Sequence, residues 1–178
     1  MRSLFALLAL GVLAGSNSAI ATPKTLALVL EPGREWCPGG VTIGIMLTNK
    51  SHAPIWLAIN RDGVNGKWDD FGYEYCRQAG PNTECAGGGQ ATGSPHDPRP
   101  EDLISGPNAL VLEEQHHARW RIDLGRVPLR GGAGELTVSI DILSSDDPRS
   151  DRPLINHHLE AKLHVRLHRS GSCWRVGG

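Results

Sequence analysis

Apolar residues in this chain recur mainly at every second position, the spacing of strands that bury one face. The clearest run is Leu159–His168. There Leu159, Ala161, Leu163, Val165 and Leu167 alternate with Glu160, Lys162, His164, Arg166 and His168. Leu136–Ile142 is as strict, with Leu136, Val138, Ile140 and Ile142 set against Thr137, Ser139 and Asp141. Val41, Ile43, Ile45 and Leu47 share one face of a third run. Turn residues Asn49–His52 follow it, and Pro54 opens a fourth run, Ile55–Ile59. This pair of runs predicts a hairpin or a crossover between sheets. Thr25–Glu31, Ala109–Leu112 and Ala118–Leu124 are further extended runs, although the last also suits a helix.

About seven short strands, each apolar on one side, are accommodated by two packed antiparallel sheets. The expected fold is therefore all-β, an immunoglobulin-like antiparallel sandwich of about seven strands. From Asn60 to Pro107 the alternation breaks up. Trp68, Phe71, Tyr73 and Tyr75 fit one more strand of mixed facing. Residues 77–108, with Gly87-Gly88-Gly89 and Pro95–Pro100, predict a long irregular insertion. Such a loop is uncommon in a compact domain and points to a surface insertion or a functional loop. Asp70–Cys76 resembles the D-x-G-x-Y-x-C segment of antibody-type domains, with Glu74 at the Tyr position. Cys37 lies too close before Cys76 for the usual inter-sheet pair of those domains, so the resemblance implies no function.

The amino terminus adds a compartment. Arg2 precedes the uncharged run Leu4–Ala14, and Ala19-Ile20-Ala21 offers small residues at the positions a signal peptidase recognises. Residues 1–21 are expected to be a cleavable export signal, leaving 22–178 as one domain, secreted or periplasmic. The apolar run is about half the ~20 residues needed to span a bilayer, and no later stretch comes closer. The four cysteines, Cys37, Cys76, Cys85 and Cys173, are then expected to form two disulfides. Three connectivities exist. Cys76–Cys85 with Cys37–Cys173 is favoured, because it closes a Gly/Pro/Asn turn and ties an early strand to the last. Zinc or thiol chemistry fits less well, since no two cysteines have C-x-x-C spacing.

Charge narrows the partners. A net charge of −1 gives no electrostatic footprint for nucleic acid or an anionic membrane. Histidines are the candidate metal ligands: His116 and His117, with His164 and His168. His164 and His168 are about 13 Å apart on one strand, so a site would need ligands from another. Asn60–Asp70 has the composition of a calcium loop, but Val64, Asn65 and Phe71 violate the EF-hand spacing. Adjacent acids Asp69-Asp70 and Asp146-Asp147 point to opposite faces of a strand, and no serine, zinc or cysteine catalytic motif is present. Asn49-Lys50-Ser51 matches a glycosylation sequon.

Trp36 and Trp174 flank cysteines and are expected to pack on the core, leaving Trp68, Asp69 and Asp70 as the candidate binding residues. The expected function is non-catalytic binding of another macromolecule outside the cytoplasm, without a cofactor. An inhibitor or immunity-type protein is one concrete form. A histidine-based metal-binding protein and a hydrolase with carboxylates from separate strands are the alternatives.

Overall fold

The computed structural model describes residues 25–59, 70–90, 103, 109–150 and 152–177. These residues form an all-β structure of two sheets. The smaller sheet is antiparallel, in the order β1 (Leu26–Glu31), β3 (Thr42–Asn49), β8 (His117–Asp123). The larger has the order β2 (Glu35–Trp36), β11 (Cys173–Gly177), β10 (Ile155–Ser170), β9 (Gly132–Ser145), β4 (Ile55–Ala58), β7 (Ala109–Leu112). A further hairpin, β5 (Phe71–Ala79) with β6 (Asn82–Gln90), joins it through β5–β9 pairing.

The alternating runs become strands because each has one face to hide. Val41, Ile43, Ile45 and Leu47 are all buried on the inner side of the small sheet, with Trp120 and Ile122 beside them. Leu136, Val138, Ile140 and Ile142 meet them from the large sheet, backed by Leu159, Val165 and Leu167. β1 packs across this core against β10. The runs ending at Asn49 and starting at Ile55 lie in different sheets, so the chain makes the crossover and not the hairpin.

Residues 77–90 correct the expected irregular insertion. Asn82–Gln90 is a strand, paired with β5 from Ala79↔Asn82 to Phe71↔Gln90. Its sequence has no apolar period; pairing alone makes it a strand. Gly80, at φ 63°, takes the first place of the two-residue turn, where a type II′ hairpin requires glycine. Gly87 and Gly89 let β6 approach β5 closely, since a Cβ there would stand 2.8 Å from the Tyr73 carbonyl oxygen and 2.6 Å from that of Phe71.

Both disulfides have the favoured pairing. Cys37–Cys173 joins positions 136 apart in sequence, and Cys76–Cys85 bridges directly opposed residues of β5 and β6. Trp36 is fully buried and pairs in register with the half-buried Trp174, which covers the core as expected of both.

The sequon asparagine is a clasp between the sheets. Asn49 is 0% exposed, and its Nδ2 lies 2.8 Å from the carbonyls of Ala53 and Leu112 and 3.2 Å from that of Glu113. Its Oδ1 accepts from the Ser51 amide and hydroxyl. A glycan on Nδ2 would displace these bonds. Asn49→Ala leaves buried carbonyls without a donor and is expected to cost about 2–4 kcal/mol in urea unfolding. In the chain-entropy model, the Cys37→Ser/Cys173→Ser pair of changes should cost about 5 kcal/mol and Cys76→Ser/Cys85→Ser about 2.5 kcal/mol. Unfolding midpoints measured side by side give the order.

Candidate functional site

The large sheet has an interruption in its middle. β4 and β5 run in the same direction along one edge of β9, with Ala58 opposite Leu143 and Gly72 opposite Ser139. Between them, Ile140–Ile142 of β9 have no strand partner on that side among the described residues. The outer strands repeat the break: β7 sets Ala109 opposite Ala58, and β6 sets Gln90 opposite Phe71. The described residues flanking 60–69 and those flanking 91–108 therefore converge on one gap. Leu103, the described residue between Gln90 and Ala109, is fully buried.

Three polar side chains mark this gap on the outer face. Asp141 projects outward from β9, opposite His158 of β10, with His158 Nδ1 3.0 Å from Asp141 Oδ1. Asp70 leads into β5 from the same side. Burial and, secondarily, the Asp141 carboxylate push its carboxyl above the usual carboxylate range. Partial burial and a neighbouring like charge thus both disfavour the ionised form of Asp70. Such arrangements concentrate at functional sites.

No protein-family model matches this chain, and no curated protein matches its sequence.

Asp70 thus falls in the site, whereas Trp68 and Asp69 lie outside the described residues. The four candidate histidines are not brought together. His117 pairs with Thr48 in the small sheet and His116 precedes it, while His164 and His168 lie on β10 of the large one. His164 Nδ1 is 3.4 Å from Glu135, whose carboxyl is held below its ordinary value chiefly by the hydrogen bond from Lys162. Among the described residues, groups spaced to hold a metal contain no histidine, and both include a disulfide pair.

The vicinal pair His157-His158 and the outward-facing Asp141 were visible in the sequence, but their couplings to Ser144, Asp70 and each other were not. Alternation faces Asp141 outward, but nothing along the chain couples it to Asp70. At the end of the inner face, His157 Nε2 lies 2.7 Å from the hydroxyl of buried Ser144. Desolvation lowers the His157 pKa from 6.5, which favours the neutral ring beside this hydroxyl. The folded state then binds a proton on the His157 ring less readily than the unfolded one. Stability from His157 is complete above about pH 6.5 and declines as the pH falls toward the lower folded value. His157→Gln should flatten the loss of stability as the pH falls below about 6.5, measured as urea midpoints against the unchanged chain.

Proposed function

We propose that this is an exported, immunoglobulin-like β-sandwich that binds another macromolecule through the segments 60–69 and 91–108, as an inhibitor or immunity-type protein would. The observation that carries the proposal is the convergence of both segments' flanking residues on the gap marked by Asp70, Asp141 and His158. Loops raised on a rigid sheet are the usual carriers of recognition. The acidic pair favours a partner surface bearing Lys or Arg, which the two carboxylates would meet with charge-assisted hydrogen bonds. The two disulfides fit an oxidising compartment, and no helix among the described residues is long and apolar enough to cross a membrane.

The raised Asp70 carboxyl beside Asp141 favours one second reading. A hydrolase would use Asp70 as the protonated acid and Asp141 as the base, the division of labour that unequal carboxylates permit.

Capture from the source's own envelope or medium fraction tests the first reading, using the leader-free chain and an Asp70→Asn/Asp141→Asn variant in parallel. A stoichiometric partner whose affinity falls at least tenfold with the variant is the expected result, corresponding to about 1.4 kcal/mol. Equal capture by the variant would move the site elsewhere, and no partner under any condition would reject the reading. Turnover of a glycoside panel that disappears with Asp70→Asn alone would establish the hydrolase instead.

A further inference from the structure

Among the described residues, β6 presents a long open strand edge. β6 pairs with β5 on one side and with nothing on the other among the described residues, and eight of its nine residues are exposed. Open edges are normally blunted by shortness, lysine, proline or a bulge. β2 and β7 are two and four residues long, β1 runs into Pro32, and β8 carries Arg119 and Arg121. Asn82–Gln90 has none of these guards. Its single charge, Glu84, is held by Arg77, with Arg130 4.0 Å away.

The direction of the backbone groups follows from the register. In a two-residue hairpin the closing pair, Ala79↔Asn82, exchanges hydrogen bonds, and bonded pairs then alternate along the ladder. Asn82, Glu84, Ala86, Gly88 and Gln90 therefore direct their amides at β5. Thr83, Cys85, Gly87 and Gly89 direct theirs at the open edge. The disulfide between Cys85 and Cys76 pins this register, so the edge is presented preformed.

We propose that two copies of this chain pair through β6, antiparallel about Ala86, to make one continuous sheet. The edge is complementary to itself in that register. The outward amides form a closed set, Thr83 opposite Gly89 of the second copy and Cys85 opposite Gly87. Glu84 likewise meets Gly88, Asn82 meets Gln90 at the two ends, and Ala86 meets its own counterpart. The two Glu84 residues stand about 13 Å apart along the strands, so no like charges are opposed. A second copy fits this edge better than an arbitrary strand, because three consecutive glycines match these three side chains one for one. The inference is independent of the macromolecular partner proposed at the gap.

Analytical ultracentrifugation of the leader-free chain over a concentration series, with residue-resolved amide exchange, tests it. The expected result is a dimer in which the amides of Thr83, Cys85, Gly87 and Gly89 become protected as concentration rises. Those of Glu84, Ala86 and Gly88 should be protected already in the monomer. Thr83→Pro removes one outward donor per copy at a position where an edge strand tolerates proline. It should weaken the dimer at least tenfold while the β5-facing amides keep their protection. If that variant loses the hairpin, Thr83→Lys, which keeps the backbone donor, should give the weakening instead. A dimer whose outward amides exchange freely overturns the proposal by locating the contact elsewhere. A chain that stays monomeric throughout overturns it and leaves the edge to a foreign strand.

Discussion

The structure depends on the ladder between β9 and β10. It runs without a break from Gly132↔Leu167 to Ser144↔Ile155, and the other strands of the large sheet attach to it directly or through one intervening strand. β11 returns from β10 through a two-residue turn, and β2 adds to β11. On the far edge β9 carries both β4 and β5. The ladder holds because the two strands agree on facing. Leu136, Val138 and Ile140 are buried beside Leu159 and Val165, and Glu135, Asp141, His158 and Lys162 share the solvent side. The small sheet is then the lid that this apolar face requires.

A strand as long as β9 outlasts the strands available to its second edge. β4 covers one end and β5 the other, and among the described residues no strand pairs with Ile140–Ile142 between them. The same break passes outward into β7 and β6. The candidate site is thus a consequence of unequal strand lengths, which place Asp70 beside Asp141 where burial and like charge act together. Asn49 makes a comparable connection within the framework. Its side chain couples the end of β3 to the last residue of β7 and the one after it, so the two sheets are fixed to each other by hydrogen bonds as well as by the core.

The elements that were legible in the sequence are those whose two faces differ. β3, β9 and β10 declare themselves because every second residue is apolar, and Trp120 and Ile122 orient β8 in the same way. β6 was not legible, since Asn82–Gln90 is exposed almost throughout and offers no period. It exists because Gly80 turns the chain, glycines admit close approach and Cys85 meets Cys76. The histidines illustrate a second limit. Alternation placed His164 and His168 on a solvent face but carried no information on which sheet His116 and His117 would join.

Alone, the sequence determined strands, their inward and outward faces, and four cysteines whose even number and spacing favoured the observed pairs. These are local properties: a period of two residues fixes facing whatever lies across the core. Only the tertiary structure decided which strands are neighbours, because pairing is made between residues far apart in the chain. It set β4 and β5 on one edge of β9, brought Asp70 to Asp141, sealed Asn49 between the sheets, and left β6 with an open side.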